Sequence, residues 1–364
     1  VSCLFKPGAR IWLISPQHWD GLPVSKHHYA RELAARGCRV SFIGPPGGAR
    51  GIRRIATDVS GIECVHYGTW FPYRTKFHAP RLFDIAMRRQ ARLITSALGG
   101  PADLIWDFDN AGQFSDLRAF GAKQSLFHLV DAPSRPSVGT KHATRLAALH
   151  ADFMAKSGAR GAVSVIGHGL APVHARGAQR RLRNGTTVTG GEVAMVGNLC
   201  AIWIDWPVIL DMVRRFPTVT FRLIGPLPRL SPSPAFAALQ NAPNCIFTGR
   251  LLPEQIAALG DKVAVWLIAF NDGVQGGPTD THKMLEYLST GAPILTSWLA
   301  NWAENDLVTM AERGSNSAMP DMLGQLLTAP GSECLRKRRI ETALAASYAA
   351  RLDQIEALLA GPGS

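Results

Sequence analysis

The stretch Thr281–Ser297, THKMLEYLSTGAPILTS, decides how the chain is read. Asp280 or Thr281 is placed to cap a helix whose first turn holds His282 and Lys283 and whose next turn presents Glu286. Amide groups at a helix start are unpaired and carry partial positive charge, so they can hold a diphosphate. Lys283 adds a full charge there. Glu286, three residues further on, shares that face and can accept hydrogen bonds from a ribose diol. Gly291 ends the helix, and Pro293–Thr296 reads as the strand that follows. The same spacing also suits a plain capped amphipathic helix with a surface lysine and glutamate.

Upstream, strand and helix patterns alternate. Val193–Val196, Thr218–Ile224, Cys245–Thr248 and Val263–Ile268 read as strands, with helices near Trp206–Phe216 and Pro253–Leu259. The first half keeps the same rhythm in strands Arg10–Ser15, Arg39–Ile43, Ile62–His66, Leu104–Asp107 and Ser125–Val130. A helix over Ser25–Arg36 is capped by Ser25 and ended by Gly37. Strands that are apolar at most positions are those covered by helices on both faces, and their alternation with helices implies parallel sheets. Ala175–Gly191 (ARGAQRRLRNGTTVTGG) lacks hydrophobic periodicity and reads as a linker. The expectation is an α/β protein of two Rossmann-like doubly wound domains facing across a cleft, with ligand at the carboxyl ends of the strands. The domains would span 1–180 and 181–335, and a C-terminal helix over 336–364 would pack back on the first. That helix opens with Arg336, Lys337, Arg338 and Arg339, a solvated helix end or a contact for an anionic partner.

Composition narrows the class. The chain has 364 residues, 46% hydrophobic and 18% charged, enough for two cores and too apolar for wholesale disorder. Its longest strongly apolar run, Val263–Phe270, is well short of the roughly 20 residues that span a bilayer. No cationic-then-apolar leader opens the chain, whose first residue is Val. The six cysteines stand singly, without a CxxC, which fits a reducing compartment and neither a disulfide framework nor a zinc site. Residues 1–180 carry 24 Lys and Arg against 11 Asp and Glu, whereas 181–364 carry 15 against 16. All excess positive charge therefore sits in the first half and points to something anionic.

The order K-x-x-E-Y-L-x-x-G-x-P, at Lys283, Glu286, Tyr287, Leu288, Gly291 and Pro293, resembles the donor-site segment of GT-B glycosyltransferases. Trp12–Gly37, with its Trp-Asp-Gly loop and Leu-Ala-Ala-Arg-Gly helix end, resembles the opening of the acceptor domain of that family. Met195–Asn198 followed by Phe216–Pro226 resembles the start of the donor domain, and Phe247–Arg250 with Val263–Phe270 the strand pair before the donor helix. The likeness runs in order along nearly the whole chain. Within it, Val165–Leu170 (VIGHGL), Thr218–Gly225 and His282–Leu285 are similar to membrane-associated bacterial polysaccharide glucuronosyltransferases of the xanthan-assembly type.

The resemblance implies an acceptor-binding first domain and a donor-binding second domain. His282, Lys283, Glu286, Arg250, Gly197 and Asn198 would hold the donor, a UDP-sugar by likeness, with Phe270 beside the base. The retaining branch commonly has two glutamates with seven residues between, and here Pro278 stands where the first would be. Inversion is therefore expected. By resemblance Asp131 is the general base that deprotonates the acceptor hydroxyl, His128 is the rival, and Asp20 and Gly21 lie on an acceptor-side loop. No cofactor beyond the nucleotide-sugar co-substrate is implied. Asp107-Phe108-Asp109 resembles the metal-binding DxD of a different glycosyltransferase fold, but such spacing is common by chance, and no metal is expected. His27-His28 are the only close pair of histidines, without a zinc ligand set.

Arg81–Leu98 places Phe83, Met87, Ala91, Ile94 and Leu98 on one helical face and Arg81, Arg88, Arg89 and Arg92 largely elsewhere. That pattern suits either a core-facing helix or one lying on an anionic membrane, and the basic first half with Trp70-Phe71-Pro72-Tyr73 favours the membrane. The expectation is thus a glycosyltransferase at the cytoplasmic face of the membrane, extending a lipid-linked or polysaccharide acceptor. Its alternatives are a nucleotide-sugar 2-epimerase and a non-catalytic GT-B subunit. A nucleic-acid partner is not expected, for no helix-turn-helix, zinc-finger or RRM pattern accompanies the pI of about 9.8.

Overall fold

In the computed structural model the strands assemble into two separate sheets, one in each of two units. The structure describes all residues except 1–3, 22, 49–50, 131–140, 150–152, 154–161, 186–190, 230, 232, 272–282, 304 and 362–364. The first unit comprises Val1–Gly169 and Tyr348–Ser364, the second Leu170–Ser347. The division thus falls at Gly169/Leu170, ahead of the expected 180/181.

The first unit is built on strands β1 (Arg10–Ile14), β2 (Arg39–Ile43), β3 (Ile52–Ala56), β4 (Ile62–Tyr67), β5 (Leu104–Asp107), β6 (Gln124–Leu129), β7 (Arg145–Ala148) and β8 (Val163–Val165). Their order is β3-β4-β2-β1-β5-β6-β7-β8. Every neighbouring pair is parallel except β3 with β4. The chain winds out from β1 through β2 and returns to its other side as β5, so β1 and β5 flank a switch point at their carboxyl ends. On one face the helix Ser25–Ala35 packs Tyr29 and Leu33 among Ile11, Leu13 and Trp106, joined by Tyr348, Leu352, Ile355 and Leu359 of the helix Tyr348–Ala360. On the other, the helix Pro80–Ala97 packs Phe83, Met87, Ala91 and Ile94 against Trp12, Ile14 and Ile105. That stripe is core, so of the two readings of this helix the core-facing one holds for these residues, and they are not what a bilayer could meet: periodicity reports an apolar face but not what covers it.

The second unit carries β9 (Glu192–Val196), β10 (Phe221–Ile224), β11 (Cys245–Gly249), β12 (Val263–Ile268), β13 (Ile294–Thr296) and β14 (Thr309–Met310), all parallel, in the order β11-β10-β9-β12-β13-β14. Here β9 and β12 flank the switch point. Asp205 caps the helix Trp206–Arg215 by accepting from the Val208 amide.

Part of the expected linker is ordered as the helix Pro172–Asn184. Its buried residues are His174, Ala178 and Arg181, so an apolar stripe was never there to read. Arg181 satisfies its charge on Asp261 at 2.7 Å and on the Ala257 carbonyl at 3.0 Å. The C-terminal stretch is two helices, Glu333–Ala345 in the second unit and Tyr348–Ala360 in the first. Of its basic cluster only Arg339 is buried, while Lys337 and Arg338 are exposed, as at a solvated helix end. Arg336 pairs with Glu333 and Arg338 with Asp306, while the buried Arg339 donates to the carbonyls of Leu307 and Gly291.

Candidate donor site at the β9/β12 switch point

The helix Lys283–Leu288 is fixed to the sheet by Tyr287. The Tyr287 hydroxyl accepts from the Val196 amide at 2.8 Å and donates to the Val196 carbonyl at 3.3 Å. Its ring stacks on Trp266 of β12 at 4.3 Å between centroids and 10° between planes. Trp266 in turn donates Nε1–H to Thr290 Oγ1 at 2.9 Å. One side chain therefore ties the helix to the last residue of β9 and to the middle of β12. The far end of the helix is held by Arg339 on the Gly291 carbonyl.

That anchorage sets Lys283 and Glu286, both half-buried, beside the switch point. Burial lowers the Lys283 ammonium, against the attraction of Glu286. Burial likewise raises Glu286 to about 7, with Lys283 opposing. His174 Nε2 lies 3.9 Å from Glu286 Oε2, but burial, with the charge of Arg181, pushes His174 down to about 4. At neutral pH the imidazole is uncharged, so the contact is not an ion pair. A carboxyl poised near neutrality can accept hydrogen bonds from a diol when ionised and donate one when protonated.

The loops at the strand ends are held just as specifically. Gly197 follows β9, and its amide donates to Ile224 at 2.9 Å. A Cβ on Gly225 would sit 1.7 Å from the Gly197 carbonyl oxygen, so only glycine fits where β9 and β10 end. Asn198 is exposed, and its Oδ1 accepts from the Cys200 amide at 3.2 Å. Phe270 follows β12 with a half-buried ring. Its amide donates to Ser297 Oγ at 2.8 Å, and its carbonyl accepts from Asn316 Nδ2 at 2.7 Å. Arg250 is exposed beyond β11, two strands from β9. His282 lies outside the described residues. Sequence reasoning missed His174, Ser297, Asn316 and Arg339 as positioning groups. Tyr287 alone had a signal, as part of the K-x-x-E-Y order.

In the first unit, Asp131 lies outside the described residues. His128, on β6, is buried against Trp106, Phe108 and Tyr29. Burial pushes it down to about 3, against a weak contact with the Ile166 backbone. Among the described residues neither ring nitrogen meets a hydrogen-bond partner of good geometry. Asp20 and Gly21 are exposed in the loop after β1, where the Gly21 amide donates to the His18 carbonyl at 3.3 Å. Neighbouring Trp19 packs edge-on against Phe42 at 5.2 Å.

The Asp107-Phe108-Asp109 pair is occupied by a cation of the protein itself. Lys141 Nζ lies 2.8 Å from Asp107 and 3.3 Å from Asp109, with all three side chains buried. It also donates to the Asp109 carbonyl. Among the described residues no group of His, Cys, Asp and Glu is arranged to hold a metal.

No family model and no curated protein matches the chain. Solved structures do. Sucrose-phosphate synthase from Thermosynechococcus elongatus superposes with a TM-score of 0.67 at 14% identity, over 96% of this chain and 99% of that one. The HepE protein of Anabaena, in complex with UDP and glucose, gives 0.64 at 13% identity over 97% and 99%. A UDP-forming alpha,alpha-trehalose-phosphate synthase from Burkholderia xenovorans gives 0.62 at 14% identity over 97% and 98%. These neighbours are glycosyltransferases, and the two Rossmann-like sheets of this chain have the GT-B fold that they share.

Proposed function

We propose that the protein is a glycosyltransferase that moves a sugar from a nucleotide-sugar, with UDP as the nucleotide, to a carbohydrate hydroxyl of a lipid-linked or polysaccharide acceptor. The observation that carries this reading is the helix Lys283–Leu288, held by Tyr287 beside the β9/β12 switch point with Lys283 and Glu286 on it. Lys283 faces the diphosphate and Glu286 the ribose diol, while Phe270 flanks the base. In the reaction the bond from the anomeric carbon to the diphosphate breaks, the bond to the acceptor oxygen forms, and the acceptor proton passes to Asp131. Direct displacement of this kind inverts the anomeric centre. No metal step is invoked: the only DxD pair already holds the Lys141 ammonium. A carboxylated sugar such as glucuronate suits the charge of Lys283.

Calorimetric titration of UDP, GDP and ADP into wild type, Lys283→Ala and Glu286→Ala tests the donor assignment. UDP is expected to bind, each substitution weakening it by roughly 10- to 100-fold, as for loss of a hydrogen bond to a charged group. Failure of all three nucleotides to bind at low salt overturns the reading. UDP release from UDP-glucuronate and UDP-glucose then ranks the sugars, and NMR of the product's anomeric proton gives the stereochemistry. Asp131→Asn is expected to abolish turnover and leave UDP affinity intact.

A further inference from the structure

The helix Pro80–Ala97 buries one face, yet its outer face is not an ordinary polar back. Leu82 and Ile85 are each 64% exposed and Leu93 43%. With Arg89 they stand at i, i+3, i+7 and i+11, one continuous stripe along the helix. Trp70 and Phe77, 63% and 57% exposed, lie just upstream in sequence. Trp70 is drawn to the stripe by the Arg89 guanidinium, 5.5 Å from its ring centre, while Phe71 and Tyr73 pack on Phe83 and fix that segment to the helix.

The charge among these side chains has one sign. Residues 70–93 hold six Lys and Arg and a single acidic residue, Asp84. Arg74, Arg81 and Arg92 are exposed and have no ion pair among the described residues, unlike Arg88, which is 3.5 Å from Asp116. Exposed tryptophan, phenylalanine, leucine and isoleucine among unpaired arginines are what an interfacial helix presents to lipid: the apolar groups enter the acyl boundary and the guanidinium groups meet phosphates.

We propose that this outer face, centred on Leu82, Ile85, Arg89 and Leu93 with Trp70 at its side, docks on an anionic phospholipid bilayer. It lies opposite the stripe buried in the core. Charge complementarity selects the occupant. A second copy docked symmetrically would set the same unpaired arginines against each other. A nucleic acid would answer the arginines but leave the leucines and isoleucine without a partner. Among the described residues no helix is long and apolar enough to cross a membrane, so the docking is peripheral. The inference is independent of the donor-site reading, and UDP titration in solution tests that reading separately.

The test is co-sedimentation with vesicles of phosphatidylcholine alone and with one third phosphatidylglycerol. The proteins are wild type, the apolar double variant Leu82→Glu/Ile85→Glu and the charge double variant Arg81→Glu/Arg92→Glu, with circular dichroism as a check on folding. Wild type is expected to bind the anionic vesicles at low salt, to lose them at high salt, and to leave the neutral ones largely in solution. Each double variant is expected to bind roughly tenfold more weakly or worse. No binding to anionic vesicles, or equal binding by folded variants, overturns the proposal. A wild-type dimer that Leu82→Glu/Ile85→Glu dissociates, without vesicle binding, overturns it in favour of self-association.

Discussion

The Tyr287 hydroxyl accepts from the Val196 amide at 2.8 Å and donates to the carbonyl of the same residue, joining the helix Lys283–Leu288 to the end of β9. A backbone group at a strand's last residue has no further ladder partner, and here a side chain supplies one. Tyr287→Phe keeps the stack on Trp266 but leaves that amide unmatched, a loss of about 1–3 kcal/mol. Urea unfolding should show it, and UDP affinity should fall as the helix loosens. Wild-type values for both would mean that the stack alone holds the helix.

Glu286 should make stability pH-dependent. Its carboxyl is raised from the ordinary 4.5 to about 7, chiefly by burial. Between those values the folded protein holds a proton that the unfolded chain has released. The contribution is therefore full below 4.5 and lost as pH rises through about 7. The slope is at most about 1.4 kcal/mol per pH unit, reduced by partial exposure. Glu286→Gln cannot titrate, so wild type should lose stability relative to this variant between about pH 5 and about pH 8. A constant difference would show that Glu286 ionises as in water. UDP affinity should rise over the same range if the ionised carboxylate receives the ribose diol.

Strands were legible where they were bulky, apolar and buried: β2, β5 and β12 fall where their sequence put them. β3 was not, because IRRIA sits at the sheet edge with Arg53, Arg54 and Ile55 all exposed, so no alternation of apolar and polar residues marks it. β7 is RLAA, whose alanines carry little strand preference, and β8, of three residues, is too short to show a period. Within the candidate site, Lys283 and Glu286 share one helix, so local spacing alone put them together. His174 meets Glu286 from a helix more than a hundred residues earlier, and Lys141 reaches Asp107 from beyond β6. Such contacts exist only once the sheets have formed. Local pattern set Asp107-Phe108-Asp109 aside as chance spacing, and nothing nearby in sequence announces the ammonium between the two carboxylates.

His128 offers a test that separates the two candidate bases. Its ring is neutral, enclosed by aromatic side chains, and without a good hydrogen-bond partner among the described residues. Burying polar nitrogens unpaired costs about 1–3 kcal/mol, so His128→Phe should hold or raise the melting temperature. Turnover should persist, because a group pushed down to about 3 is a poor proton acceptor. Lost turnover in a variant that melts normally would give the role of base to His128.

Lys141 should be among the most sensitive positions in the first unit. Its ammonium lies within 2.8 Å of Asp107 and 3.3 Å of Asp109, and the two carboxylates hold it above its ordinary range despite burial. Its backbone has φ of 48°, a left-handed conformation uncommon outside glycine, which the contacts to both aspartates hold in place. Lys141→Met keeps much of the aliphatic volume and removes the charge, leaving two buried carboxyl groups uncompensated. The cost should be about 3–5 kcal/mol. It should be smaller at about pH 5 than at about pH 8, because burial has already raised Asp107 to about 6 and acid neutralises it. Adding Asp107→Asn to Lys141→Met should then recover stability by removing one of the stranded charges, as chemical denaturation of the two variants would show. If the double variant is no more stable than Lys141→Met, uncompensated charge at Asp107 is not what the lysine relieves, and its backbone conformation would account for the loss.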